Sequence, residues 1–166
     1  MSEAFIGEWD LESSENFPEY LADVGVSRVL RAMATAAKPT IHISIDVRHK
    51  IFHSRQKFPF KMLCYSLEGK WTIKTVTPIR TLVLEFKLGE EFDDCTPDGR
   101  KMISIVEKID DRRLEQTQKP TNDKDVGSLI TRYIDDEGHF VVELRALKEG
   151  ARTARRVHRK RQRSNR

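Results

Sequence analysis

Groups able to do chemistry are scattered along this 166-residue chain, not gathered into a recognisable constellation. Five histidines (His42, His49, His53, His139 and His158) and two cysteines (Cys64 and Cys95) share no spacing that would set ligands around a metal. The carboxylate pairs Asp93/Asp94, Asp110/Asp111 and Asp135/Asp136 fall where turns are expected, so solvation is their default role. No phosphate-cradling glycine loop, nucleophile elbow or HExxH pattern occurs. The expectation is a non-enzyme with no cofactor and no metal. Cationic groups are the exception to this scatter. Residues 145–166 hold ten Lys/Arg against the single acid Glu149, a charge of +9, whereas residues 1–144 carry −5. A second basic stretch, residues 46–66, interleaves Arg48, Lys50, Arg55, Lys57 and Lys61 with Phe52, Phe58, Phe60 and Tyr65. Such groups pair with anions: nucleic acid, an acidic membrane or a targeting receptor.

The elements that must position these groups follow from periodicity. Phe5–Leu11 alternates as a strand. Ser14 and Asn16 are candidate helix caps, and Pro18 suits a first helical turn, where its missing N–H costs little. Phe17, Tyr20, Leu21 and Val24 then recur at helical spacing; Gly25 interrupts, Val26–Ala37 reads as a second helix, and Pro39 stops it. The second helix has few side chains able to read bases, which argues against a DNA-reading helix–turn–helix. From Thr40 the period switches to two. The candidate strands are Thr40–Val47, Lys70–Thr77, Arg80–Leu88, Glu91–Asp93, Lys101–Ile109, Arg112–Lys119, Ser128–Asp135, His139–Leu147 and Ala151–Arg161, mostly separated by short Gly, Pro and Asp turns. Ten strands joined in this way should close on themselves to remove their edges, and a barrel of that width should enclose a cavity. The expected fold is all-β: a ten-stranded antiparallel up-and-down β-barrel, lipocalin-like, with a two-helix lid between strands one and two.

Composition bounds the alternatives. One domain suits the length, with residues 1–161 as barrel and 162–166 as basic tail. No apolar run reaches the roughly 18 residues of a helical membrane span. The first ten residues lack the basic and apolar regions of a secretory signal, and two cysteines make no disulfide framework, so a reducing, cytoplasmic location is expected. The mean hydropathy of −0.58 points to a modest or hollow core.

With these elements in place, the chain resembles the cytosolic fatty-acid-binding proteins and their retinoid-binding relatives. The resemblance rests on G-E-W-D-L-E-S-S-E-N-F-P-E-Y-L (7–21), V-G-V (24–26), A-K-P (37–39), L-G-E-E-F-D-D-C-T-P-D-G-R-K (88–101), I-T-R (130–132), F-V-V-E-L (140–144) and R-V-H (156–158). It implies an intracellular, monomeric, non-catalytic carrier of a long-chain fatty acid or similar lipid. A tail of about 16 carbons gains roughly 0.8 kcal/mol per CH₂ on leaving water, and its carboxylate must be paired because an isolated buried anion is too costly. By family position, Arg132 and Arg156 pair that head group. Strand parity agrees, placing Arg132 with Ile130 and Ile134, and Arg156 with Ala154 and His158. Arg155 beside Arg156 leaves a one-residue slip open; Arg156 and His158 are assigned inward. His158 stands where the family usually has a tyrosine hydroxyl donor. The resemblance also implies that Phe17, Tyr20, Leu21, Val26, Leu30, Ala34, Pro39 and Ile79 line the tail site, with Asp98 and Arg100 at its entrance.

Several features lie outside the resemblance. Residues 46–66 replace what is a tight turn in the family; they read as a nucleic-acid or membrane contact, an extended hairpin or loop, or a segment absent from the mature protein. The meander sets this segment and the C-terminal tail at the barrel end away from the lid. The run from Arg155 to Arg163 resembles a nuclear-import signal, implying an import receptor and a nuclear location. Arg28, Arg31 and Lys38 would touch acidic membranes. The runner-up function is a nucleic-acid-binding module using the basic tail and the insertion.

Overall fold

The computed structural model describes residues 2–47 and 69–162. Ten antiparallel strands follow the alternating segments: β1 (Gly7–Glu15), β2 (Thr40–Val47), β3 (Gly69–Val76), β4 (Thr81–Lys87), β5 (Glu91–Cys95), β6 (Lys101–Asp110), β7 (Arg113–Pro120), β8 (Ser128–Ile134), β9 (Phe140–Ala146) and β10 (Thr153–Lys160). Two helices, α1 (Phe17–Asp23) and α2 (Arg28–Ala36), lie between β1 and β2. Strands adjacent in sequence pair with each other except β4 and β5, and β1 also pairs with β10, giving one sheet in the order β4-β3-β2-β1-β10-β9-β8-β7-β6-β5. The barrel is nearly closed. Its two edge strands, β4 and β5, approach through side chains: Phe86 stacks on Phe92 with ring centroids 6.0 Å apart, and Arg80 Nη1 donates to the Pro97 carbonyl at 2.6 Å.

The sequence expectation of fold class holds, with local corrections. Phe5 sits in a 3-10 turn (Ser2–Phe5), not in the first strand, and β1 instead runs on to Glu15. That turn buries the Phe5 ring inside the barrel, where it meets Trp71 and Phe140 edge-on. Asn16 precedes α1 in the left-handed region (φ 53°), yet its side chain makes no cap; Nδ2 donates to the Thr153 carbonyl and ties the helix to β10. The cap of α2 is Ser27, whose Oγ accepts from the Leu30 amide, so this helix starts at Arg28 and not at Val26. Gly25, at φ 87°, makes the turn between the helices. The last strand is shorter than expected, because residues 147–152 form the turn leading into it. The 46–66 insertion falls almost wholly outside the described residues; β2 ends at Val47 and β3 begins at Gly69.

The core is asymmetric along the barrel axis. At the end opposite the helices, Phe5, Trp9, Val106, Leu114 and Phe140 are fully or almost fully buried. A file of rings crosses the interior there, from Phe140 through Phe5, Trp71 and Phe86 to Phe92, at centroid spacings of 5.8–6.2 Å. Each buried ring contributes on the order of 1.5–3 kcal/mol. At the lid end, a smaller cluster joins Phe17, Tyr20 and Val24 of the helical segment to Ala146 and Ala154.

Candidate functional site

Alternation on β8, β9 and β10 builds an inner ladder of directly opposed residues. Ile134, Phe140 and His158 form one rung; Arg132, Val142 and Arg156 the next; Ile130, Leu144 and Ala154 the third. Two guanidinium groups therefore share a rung, their Cα atoms about 10 Å apart across the Val142 strand. Arg132 is buried and Arg156 half-buried. Leu144 and Arg156 face inward on strands far from the barrel's edges yet keep partial exposure, so solvent reaches the inner face at this level.

The two arginines have different surroundings. Arg132 Nη1 donates to Gln116 Oε1 at 2.8 Å. Gln116 Nε2 donates in turn to Ser104 Oγ and Asp94 Oδ2, both at 3.3 Å, and the same carboxylate oxygen accepts from Ser104 Oγ at 2.8 Å and Gln118 Nε2 at 2.7 Å. Burial lowers the Arg132 pKa to about 10, and the charge of Asp94 opposes that fall. Arg156 has no such support. Its guanidinium lies over the Phe17 ring at 4.1 Å, and among the described residues its Nε has no hydrogen-bond partner. Burial alone lowers its pKa to about 10. A half-buried cation with no counter-ion among the described residues favours an incoming anion.

His158 lies one rung below Arg156 and is only 1% exposed. Its Nδ1 is 3.1 Å from the Phe140 carbonyl, and its Nε2 is buried without a partner among the described residues. Burial, with the nearby Arg156 charge, pushes its pKa down to about 4, so the ring is neutral at physiological pH.

The remaining residues singled out from sequence spread from this site toward the lid. Phe17 stacks on Tyr20, whose hydroxyl meets Ser128 Oγ at 2.9 Å; burial raises the Tyr20 pKa. Leu21, Val26 and Ala34 pack partly buried against this cluster, and Pro39 is buried. Leu30 is 44% exposed and Ile79 76% exposed, in α2 and the β3–β4 turn at the lid end. The outer faces of Val29 and Met33 are also exposed, so α2 buries no residue of its own. Asp98 and Arg100 form a bidentate pair (2.8 and 3.1 Å) in the β5–β6 turn, and Arg100 also holds the Val126 carbonyl. Burial raises the Asp98 pKa, but hydrogen bonds from Arg100 and Thr96 outweigh it and leave the carboxyl below its ordinary value. A surface groove of about 630 Å³ between α1 and α2, lined in part by Glu19, Arg28 and Arg31, lies outside this interior arrangement.

Sequence reading missed the polar relay of Asp94, Ser104, Gln116 and Gln118. Polar residues alternating with polar residues carry no phase, and β7 (R-L-E-Q-T-Q-K-P) can be read with either face inward. The basic C-terminal run is also less available than its charge suggests. Arg161 grips Asp10 with two bonds of 2.6 and 2.8 Å and reaches Glu8, Arg159 pairs with Glu12, and Arg155 lies 3.9 Å from Glu143. The acids of β1 and β9 thus pair three of the ten Lys/Arg in residues 145–166.

No family model matches the chain. Individual proteins do. Fatty acid-binding protein homolog 5 of Caenorhabditis elegans is 37% identical over 136 residues, covering 82% of this chain and 84% of the relative. Sodium/calcium exchanger regulatory protein 1 of Doryteuthis pealeii is 38% identical over 145 residues, covering 87% and 90%. Among solved structures, the fatty acid binding protein of Schistosoma mansoni in complex with arachidonic acid superposes with a TM-score of 0.75 at 28% identity, covering 97% of this chain and 98% of that one. The apo lipid binding protein 8 of Caenorhabditis elegans gives a TM-score of 0.77 at 24% identity over 96% of both chains, a likeness of fold.

Proposed function

The chain belongs to the fatty-acid-binding protein family, and from that premise we propose that it is a non-catalytic carrier of an acidic acyl lipid, held with its head group at the Arg132–Arg156 rung. The observation that carries this reading is Arg156, a buried-side guanidinium with no counter-ion among the described residues. A ligand carboxylate supplies the missing charge, while Asp94 already offsets Arg132 through Gln116. The aromatic and aliphatic inner faces then take the acyl tail. Asp98 and Arg100, in the β5–β6 turn, border the lid end, and this is the route of entry.

Finer parts of the reading concern cellular use. The carrier is an intracellular monomer that exchanges lipid at acidic membranes, using the exposed Arg28 and Lys38 and the half-buried Arg31 on and beside the outer lid helix. Any nuclear-import signal is confined to the residues beyond the paired Arg161.

Displacement of a fluorescent fatty acid tests the proposal. A carrier retains its affinity as salt is raised from 0.05 to 1 M, because the tail dominates binding. Binding driven by surface phosphate contacts falls by orders of magnitude over such a range. Loss of the probe in high salt, or unchanged affinity in an Arg132→Ala/Arg156→Ala double variant, would overturn the assignment.

A further inference from the structure

His158 and Arg156 make an asymmetric pair of unsatisfied groups. The Phe140 carbonyl can only accept, so the hydrogen of the neutral His158 ring resides on Nδ1, 3.1 Å away. Nε2 is then a bare lone pair, and it is buried with no partner among the described residues. Two residues earlier on the same face of β10, Arg156 presents an Nε–H on a cation that likewise has no partner among the described residues. Their Cα atoms are separated by about 7 Å, two strand residues. One position asks for an anion and the next asks for a hydrogen-bond donor.

A plain carboxylate answers only the first. It is acceptor-only when ionised, so an oxygen turned toward His158 meets a lone pair, and Nε2 stays unsatisfied. A tyrosine at this position, as in the family pattern, donates its hydroxyl to the acid; a neutral histidine of this tautomer does the reverse. Building on the carrier reading above, we propose that the head-group site prefers an acyl lipid whose acid also bears a neighbouring hydroxyl or amide N–H, such as a 2-hydroxy fatty acid or an N-acylglycine. The acid lies on Arg156 and the donor points at Nε2 of His158. The burial-lowered pKa of His158 supports the neutral ring that this requires.

The test is competitive displacement of a fluorescent fatty acid at pH 7.4 by palmitate, 2-hydroxypalmitate and N-palmitoylglycine, with the wild type and with His158→Tyr. Satisfying a buried acceptor should favour the donor-bearing acids over palmitate by about tenfold in the wild type. In His158→Tyr, whose hydroxyl donates to an ordinary carboxylate, that ratio should fall to within about twofold. Nitrogen-15 NMR of the wild-type imidazole provides a readout independent of the variant's folding. It should show hydrogen on Nδ1 without lipid, and a shift of the Nε2 resonance with 2-hydroxypalmitate that palmitate does not produce. Palmitate binding as tightly as its 2-hydroxy form in the wild type, or hydrogen found on Nε2, overturns this inference and leaves the carrier reading standing. Failure of all three acids to displace the probe overturns the carrier reading itself.

Discussion

Replacing Arg156 with methionine separates the two things a buried charge can do. Sequestering an ion from water costs several kcal/mol even after the protein relaxes, and no carboxylate among the described residues pairs with Arg156 to offset that cost. The Phe17 face at 4.1 Å returns about 0.5–2 kcal/mol, and partial exposure lowers the penalty further. Methionine keeps the length and apolar stem, so Arg156→Met should stabilise the lipid-free protein by about 1–2 kcal/mol. In a chain of this size, that is a Tm rise of about 3–6 °C. The same change removes one partner of the ligand carboxylate, a loss of about 2–3 kcal/mol with Arg132 still in place, or roughly 30- to 150-fold in affinity. Differential scanning calorimetry of delipidated protein and palmitate displacement measure the two effects separately. Arg132→Met should behave oppositely in the first assay, because Gln116 Oε1 loses its donor and Asp94 its compensating charge. A lower Tm for lipid-free Arg156→Met, or palmitate affinity within threefold of wild type, would refute the reasoning.

Three further outcomes are expected. The His158 pKa falls from 6.5 to about 4 on folding, so the unfolded chain binds more protons between those values. Stability should therefore decline as pH drops from about 6.5 toward 4, by up to roughly 3 kcal/mol, and His158→Gln should flatten this part of the urea-denaturation profile. A Cβ added at Gly127 would lie 2.4 Å from the Gln118 carbonyl oxygen and 3.2 Å from both Leu147 and Pro120. Gly127→Ala should thus lower stability by about 1–3 kcal/mol in the same assay. Tyr20→Phe removes the hydroxyl bonded to Ser128 Oγ at 2.9 Å, so it should cost about 1 kcal/mol and speed amide exchange in α1 without displacing the head group.

The architecture was readable from the chain because its signals were local. Period-two alternation and Gly, Pro and Asp turns located all ten strands to within a few residues, and the helical spacing of Phe17, Tyr20, Leu21 and Val24 marked the lid. Strand ends were less legible where tertiary contacts overruled alternation, as when Phe5 left the strand pattern to plug the barrel from a 3-10 turn. Parity placed Arg132 and Arg156 on strand faces with apolar neighbours, but only the β8–β9–β10 register shows that they share a rung. The glutamine–aspartate relay needs contacts between β5, β6 and β7, residues 94–118, which no local pattern encodes. The pairing of Arg159 and Arg161 with acids of β1 is a long-range effect of the same kind, spanning about the whole chain.

The claim at the centre of this account is that the Arg156 guanidinium, whose Nε has no partner among the described residues, receives the acid of the bound ligand. Nitrogen-15 NMR of the arginine Nε–H groups, recorded while carboxyl-labelled palmitate is added, tests it most directly. The account predicts that the Arg156 Nε–H resonance moves and its exchange with water slows as the carboxyl signal of the bound acid appears, both saturating at the same lipid ratio. Saturation of the carboxyl signal with the Arg156 resonance unmoved would contradict it.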